Sequence, residues 1–321
     1  MGGSTPGPHA GAAPQLWRIG RASLGFLVDT FSMSRGGAGD IVDPLLLTII
    51  VDSNLAPFNQ DPELTARYAT LDDPPPDELR RPVSVNAIAA SLRMPYETVR
   101  RRVTRLIELG AVQATPKGVV VPAGTLHNPF YDIVATARYE RMKRLYFEIK
   151  ALGGLAGLDV RPPEAPRHER APVRLANRQL SEYSLRVIDG FMRRLGDPVT
   201  GLILLEMAHA NAEHLSASET AYEGPMSDDK RRPIRALTLA KRVGLPPETV
   251  RRHVAKLEQH GFCRKVEGGL LAALEQLGQG GSGEHGLMNN LTNLHRMLVR
   301  LAALGVLAFW DDEAATACAA G

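Results

Sequence analysis

The sequence contains few cysteines, few aromatic residues and no long apolar run. Its two cysteines, Cys263 and Cys318, cannot supply a disulfide framework, so a reducing compartment is expected. Aromatic residues make up only 5% of the chain, so the core is expected to consist of Leu, Val, Ile and Ala. The most apolar stretch, residues 41–51, contains Asp43 and Pro44 and is too short to span a bilayer.

A secretory leader and a strong net charge are also lacking. The first 14 residues contain neither the basic nor the apolar segment of a signal peptide, so we expect a cytoplasmic protein with no membrane partner. The net charge is only +3 over 321 residues, which excludes no class of partner. Composition predicts a disordered tail over residues 1–19 and a flexible tail over residues 311–321.

The chain contains an internal repeat. Residues 82–110 align without gaps with residues 233–261, and 11 of these 29 positions are identical. The longest identical run is Glu-Thr-Val-Arg-Arg, and each copy follows an acidic loop that ends in Arg-Arg-Pro. Similar apolar patterns outside this core extend the repeats to residues 20–153 and 180–310. A linker rich in Pro and Arg, residues 154–179, separates them.

Each repeat has the sequence pattern of two helices followed by a hairpin. Ser84 is suited to cap a helix over residues 85–92, and a second helix is expected from Pro95 or Tyr96 to Gly110. The hairpins are expected at residues 111–122 and 262–273, after helix–turn–helix segments at 82–110 and 233–261. The predicted fold class is mainly α with small β wings, as two tandem winged helix–turn–helix domains with long flanking helices.

The repeated motif resembles that of a known class of protein. The run Pro-x-Glu-Thr-Val-Arg-Arg-x-Val-x-x-Leu-x-x-x-Gly before a hairpin is similar to the recognition helix and wing of bacterial GntR, MarR and IclR regulators. The resemblance covers about 45 residues in each repeat and implies binding to double-stranded DNA. An α-helix fits the major groove, where Arg side chains read guanine and others bind phosphate.

Positive charge is concentrated in the two motifs. Residues 80–105 carry a charge of +6 and residues 230–256 a charge of +8, so the rest of the chain carries −11. Such a distribution is typical of a DNA-binding surface. The predicted DNA-binding residues are Arg80, Arg81, Tyr96, Thr98, Arg100, Arg101, Thr104, Arg105 and Lys117 in repeat one, and Arg231, Arg232, Pro247, Thr249, Arg251, Arg252, Lys256, Arg264 and Lys265 in repeat two.

Other candidate sites carry weaker signals. Glu206, His209 and Glu213 share one helix face, but their spacing matches no recognised metal motif, so no metal is predicted. Cys263 is interpreted as a buried strand residue, although basic neighbours are able to lower a thiol pKa. The glycines at 278–283 do not have phosphate-loop spacing. No nucleophile–base pair is found, so we predict neither enzyme activity nor a cofactor.

The functional hypothesis is a nucleoid-associated transcription regulator. Long apolar helices are expected over residues 24–31, 43–54, 131–152, 180–195 and 287–307. They are expected to pack the repeats as a single-chain pseudo-dimer that reads two half-sites. Alternatives are a replication initiator, a chromosome-organising protein, a protein-interaction scaffold, or a regulator with an effector pocket between the long helices. Partners besides DNA are a second copy of the chain or RNA polymerase, and the effector is left open.

Overall fold

The computed structural model describes residues 13–34, 40–215, 227–273 and 284–320. In these ranges the protein is mainly helical with two small antiparallel sheets of two strands each, as the sequence predicted. The first half contains α1 (Ala13–Ser34), α2 (Val42–Leu55), α3 (Pro62–Arg67), α4 (Val85–Leu92), α5 (Tyr96–Glu108), β1 (Gln113–Thr115), β2 (Gly118–Val120) and α6 (Pro129–Ala151). The second half contains α7 (Val173–Leu195), α8 (Pro198–Ala212), α9 (Ala236–Val243), α10 (Pro247–Gln259), β3 (Cys263–Val266), β4 (Gly269–Ala272), α11 (Glu284–Ala303) and α12 (Val306–Ala320).

Local sequence signals account for the elements of each repeated motif. The Ser84 side chain accepts a hydrogen bond from the Ala87 N–H at 3.1 Å, and α4 occupies the predicted residues 85–92. Helix α5 begins at Tyr96, as predicted, directly after Pro95. The hairpin strands lie where they were predicted, with their ends displaced by at most two residues. These element predictions are confirmed.

Both predicted tails are wrong in the parts that the structure describes. Residues 13–19 belong to α1, because Ile19 is only 7% exposed and packs in the core. Residues 311–320 continue α12, and Asp311 accepts a 2.8 Å hydrogen bond from Lys150 of α6. Alanine-rich sequence is also good helix-forming sequence, and contacts with α6 fix its position. The other tail residues lie outside the described residues.

The linker and one long helix also differ from prediction. The predicted linker, residues 154–179, ends earlier, because α7 begins at Val173 and is buried from its first turn. The predicted helix over residues 287–307 is interrupted at Gly305, where φ is +73°. A Cβ atom at Gly305 would lie 1.9 Å from the carbonyl oxygen of Pro166, so only glycine fits this turn beneath the linker.

Contacts between the two halves occur in reciprocal pairs. Helix α1 packs on α8 as α7 packs on α2, and α6 packs on α7 as α11 packs on α1. Because α1, α2 and α6 correspond to α7, α8 and α11, each contact has a counterpart with the halves exchanged. Phe26 and its equivalent Tyr183 stack on each other with ring centroids 6.3 Å apart. The two halves therefore contact each other through equivalent helices, and these two equivalent rings touch.

One large apolar core extends through both halves. The fully buried Trp310 of α12 contacts Tyr139 and Tyr146 of α6, at centroid distances of 5.5 and 5.6 Å. The last helix of the second half is thus part of the packing of the first half. Among the described helices, none alone has the length and apolarity to cross a membrane. One pair of consecutive helices, Met288–Ala303 and Val306–Ala319, has the length and composition of a membrane span when the two are taken together, but they are bent by 74°.

Candidate nucleic-acid interface

Helices α5 and α10 occupy equivalent places in the two repeats and are called here the candidate reading helices. On α5, Val99, Val103 and Leu106 are buried, so the opposite face lies toward solvent. The equivalent α10 residues are also buried, which gives both helices one orientation toward the core. The predicted contact residues Tyr96, Arg100, Arg101, Thr104, Pro247, Arg251 and Arg252 are exposed, and Thr98 and Thr249 are half-buried.

An aspartate before the second helix of each repeat anchors the candidate reading helix. The Asp40 carboxylate accepts hydrogen bonds from Arg102 at 2.8 and 3.0 Å, and Asp43 accepts another at 2.7 Å. In repeat two, His253 replaces Arg102, and its Nδ1 lies 3.7 Å from Asp197. Burial lowers the pKa of His253 in spite of that carboxylate. The two helices are thus fixed at the same point by different chemistry.

A buried asparagine joins each hairpin to the segment before the helix pair. The Asn54 amide donates to the carbonyls of Arg81 and Val119, at 2.8 and 3.2 Å, and accepts from the Val121 N–H at 2.9 Å. Both equivalent asparagines are completely buried, so these bonds have no competition from water. In repeat two the same three bonds, of 2.8, 3.1 and 2.9 Å, join Asn211 to Arg232, Leu270 and Ala272.

Each hairpin also lies close against the residue that follows Arg-Arg-Pro. Val83 exchanges backbone hydrogen bonds with Val119 at 3.1 and 2.9 Å. The turn glycine next to it, Gly118, has φ of +141°, and a Cβ there would lie 2.4 Å from the Val83 carbonyl oxygen. Gly269 has the same role in repeat two, with φ of +150°. Glycine at this turn is therefore required for the hairpin to dock.

The prediction that Arg80 and Arg231 contact DNA is wrong. The Arg80 side chain is 0% exposed, donates to the Val121 carbonyl at 2.9 Å and pairs with Asp77 at 3.1 Å. The Arg231 side chain is 8% exposed and pairs with Asp228. The first arginine of each Arg-Arg-Pro therefore holds the hairpin from inside the fold.

Four further predicted cations are bound to carboxylates of their own repeat. All four keep at least a third of the side chain exposed, but part of each positive charge is neutralised within the protein. The charges of +6 and +8 on the two motifs therefore overstate the free positive charge. The pairs are Arg105 with Asp43 at 3.9 Å, Lys256 with Asp197 at 2.7 Å, Arg264 with Asp228 at 2.7 Å and Lys265 with Glu258 at 2.9 Å.

The repeated Glu-Thr-Val-Arg-Arg run places one ion pair at the start of each candidate reading helix. Glu97 pairs with Arg100 at 2.9 Å, and Glu248 pairs with Arg251 at 2.8 Å. Hydrogen bonding within each pair lowers the pKa of the glutamate and raises the pKa of the arginine. More than half of each side chain is exposed, so a competing anionic or acceptor group reaches the guanidinium readily.

Within residues 80–121 and 231–273, which the structure describes fully, eight exposed cations have no hydrogen-bond or ion-pair partner for the side chain. Two positions, Arg81 with Arg232 and Arg101 with Arg252, are shared by the repeats. Sequence reasoning missed Arg93, Arg235 and Lys241, which lie on the turns and helices before the candidate reading helices. Helical periodicity of α9 gave a signal for Lys241. The eight are Arg81, Arg93, Arg101, Lys117, Arg232, Arg235, Lys241 and Arg252.

A backbone hydrogen bond joins the first half of the chain to the helix–turn–helix of the second. The Ile41 N–H of the first half donates to the Val243 carbonyl of the second half at 3.1 Å. Val243 ends α9 just before the turn to α10, and Ile41 follows Asp40, which holds Arg102 of α5. A chain of contacts therefore links the start of α10 to the middle of α5.

The candidate metal ligands of the second repeat, Glu206, His209 and Glu213, lie around an arginine. Arg242 of α9 pairs with Glu206 and binds both carboxylate oxygens of Glu213, at 2.9 and 2.7 Å. His209 lies 3.6 Å from Glu213, and the His214 ring contacts a backbone carbonyl instead. The described residues contain no group of three or more His, Cys, Asp or Glu side chains able to hold a metal.

The remaining sequence candidates do not add to this surface. Burial raises the pKa of Cys263 to about 11, so its basic neighbours do not activate the thiol. The glycine-rich segment at 278–283 lies outside the described residues.

Comparison with protein family models, with curated proteins and with solved structures finds no match for the chain.

Proposed function

We propose that the protein is a sequence-specific, double-stranded DNA-binding transcription regulator with two tandem winged helix–turn–helix units. The observation that carries the proposal is a repeated arrangement of cations. Two equivalent helix–turn–helix–hairpin segments each display four exposed cations without partners, and each also carries an exposed, exchangeable Glu–Arg pair. Positive charge clustered on a helix–turn–helix segment is the electrostatic pattern of DNA binding.

The proposed mechanism assigns different contacts to different cations. Helices α5 and α10 enter the major groove, and Arg100 and Arg251 exchange their glutamate partners for the N7 and O6 acceptors of guanine. Arg101 and Arg252 bind phosphates beside the groove, and Arg81 and Arg232 bind the backbone at the entry of each unit. The asparagine and aspartate anchors keep hairpin and helix in one rigid orientation, which lowers the entropy cost of binding.

The two half-sites are expected to differ in sequence. The candidate reading helices differ at the exposed positions Tyr96 against Pro247 and Thr104 against Ala255. These side chains lie beside the two arginines that both repeats share, where base edges are read. The proposal therefore specifies an imperfect palindrome rather than two equal half-sites.

Selection of bound sequences from random double-stranded DNA tests the proposal. Wild-type protein is expected to enrich one bipartite motif. Arg100→Gln with Arg101→Gln removes sequence information from one half of the motif, and Arg251→Gln with Arg252→Gln removes it from the other half. The matched control, Arg67→Gln with Arg144→Gln, makes the same charge change on exposed residues outside both helix–turn–helix–hairpin segments and leaves the motif intact.

Three outcomes of the selection would contradict the proposal. Salt-sensitive binding without an enriched motif would indicate a chromosome-organising protein. Enrichment of tandem direct repeats that map to replication origins would indicate a replication initiator. An absence of DNA binding would indicate a protein-interaction scaffold.

A further inference from the structure

A cavity of about 450 Å³ lies between α7 and α11, away from the candidate reading helices. Its volume is within the range of small-molecule sites. The residues on each wall are three, four and seven positions apart, so each helix presents one face to the cavity. The polar residues that line it are Gln179, Glu182 and Arg186 of α7 and Asn293, Arg296 and Arg300 of α11.

The charge of this cavity is positive. Three arginines line it against one carboxylate, Glu182, which already pairs with Arg186. Arg296 and Arg300 are exposed, lie one helical turn apart, and have no carboxylate partner among the residues that the structure describes. Two adjacent guanidinium groups without counter-charges favour an anion with several acceptor oxygens.

Two buried amides face the same space. Gln179 is 5% exposed and Asn293 is 4% exposed, and both line the cavity. In the described part of the chain neither side chain has a hydrogen-bond partner. Neither amide is shielded from the cavity, so both offer hydrogen-bond donors and acceptors to a polar group bound there.

In the first repeat, side chains fill the space that is equivalent to this cavity. Its equivalent of Asn293 is Arg141, which pairs with Asp29 at 2.7 Å and lies 5.7 Å above the Phe26 ring. Asp29 occupies the position of Arg186 in the second repeat. The second repeat therefore has a shorter side chain where the first has the filling arginine, and a positive group where the first has its carboxylate. The difference opens the space and makes it cationic.

We propose that the cavity between α7 and α11 binds a small organic anion, a carboxylate or phosphate group on an apolar body. Arg296 and Arg300 bind the anionic group, and Gln179 and Asn293 hydrogen-bond its polar substituents. Tyr183 and Met297, which also line the cavity, contact the apolar body. This site is separate from the proposed DNA contacts, and ligand binding does not depend on them.

Calorimetric titration of the full chain with benzoate, phenyl phosphate and the neutral benzamide tests the proposal in the absence of DNA. At least one of the two anions is expected to bind saturably, and at least about ten-fold more tightly than benzamide. Arg296→Gln with Arg300→Gln is expected to weaken that binding about ten-fold or more. Arg144→Gln, at the exposed α6 position equivalent to Arg296, is the control and leaves it unchanged.

A second variant fills the cavity with the residue types that occupy the equivalent positions in the first repeat. Asn293→Arg with Arg186→Asp introduces the counterpart of the ion pair between Arg141 and Asp29 and is expected to abolish anion binding, and circular dichroism checks that the variant keeps its helical structure. Three results would overturn the proposal: no saturable binding of either anion, equal binding of benzamide, or anion binding that survives both double variants. Failure of DNA binding would leave all of these titrations interpretable.

Discussion

Burial changes the pKa of one carboxyl group, that of Asp52 on α2. Burial, and in second place the nearby Glu182, raise the pKa of its carboxyl to about 6. The folded chain therefore binds more protons than the unfolded chain between about pH 4 and pH 6. The contribution of Asp52 to the free energy of unfolding consequently falls as the pH rises through that window and is constant above it.

Asp52→Asn is predicted to remove this pH dependence, because asparagine resembles the neutral acid. Near pH 7.5 the variant is expected to gain roughly 1–2 kcal/mol in the free energy of unfolding, and near pH 4 almost nothing. Urea unfolding of both proteins at the two pH values measures the difference. A gain of equal size at both pH values would show that the carboxyl charge is not the cause.

Arg93 has a strained backbone conformation. It ends α4 with φ of 49°, in the left-handed region, where the second repeat has Gly244 with φ of 69°. Arg93→Gly is expected to raise the free energy of unfolding by about 0.5–1 kcal/mol, after the greater chain entropy of glycine is subtracted. Gly244→Arg is the matched opposite and is expected to lower it. Chemical denaturation measures both, and destabilisation by Arg93→Gly would contradict this account.

At the scale of the elements, the buried Asn54 and Asn211 each join a hairpin to the segment before the helix pair. Asn54→Ala leaves the Val121 N–H buried without a partner, whereas the Val119 carbonyl keeps its bond from the Val83 N–H, so a loss of roughly 1–3 kcal/mol is expected. Faster hydrogen exchange is expected at Val121. Asn211→Ala should have the same effect in the second repeat, whereas Asn86→Ala, exposed on α4, should have almost none. Unchanged exchange at Val121 would indicate that the hairpin is held by other contacts.

The elements also show which features sequence reasoning reaches. Helix α4, helix α5 and the hairpins were predicted because their caps, apolar spacing and turn glycines lie within the elements themselves. The role of Arg80 was missed because its partner, the Val121 carbonyl, is 41 residues away. Gly305 and the alanine-rich tail carry local signals for a helix end and for a helix, but the contacts that fix them, with Pro166 and with α6, are distant in sequence.

At the scale of the whole molecule, one core and reciprocal helix contacts join the two halves. Full-length protein is therefore predicted to unfold in one cooperative transition, with coincident helix and tryptophan signals. A fragment of residues 13–153 exposes the faces of α1, α2 and α6 that pack on the second half, and is expected to self-associate or to remain unfolded. Two separate transitions, or a stable monomeric fragment, would show that the repeats fold independently.

The proposal of DNA recognition is tested most directly by the salt dependence of binding. Fluorescence anisotropy with the selected duplex, at a series of salt concentrations, compares wild type, Arg101→Gln with Arg252→Gln, and the Arg67→Gln with Arg144→Gln control. Log affinity is predicted to fall linearly with log salt concentration, with a slope smaller by about 2 in the first variant and unchanged in the control. Absence of salt-dependent binding, or equal slopes in the two variants, would contradict the account.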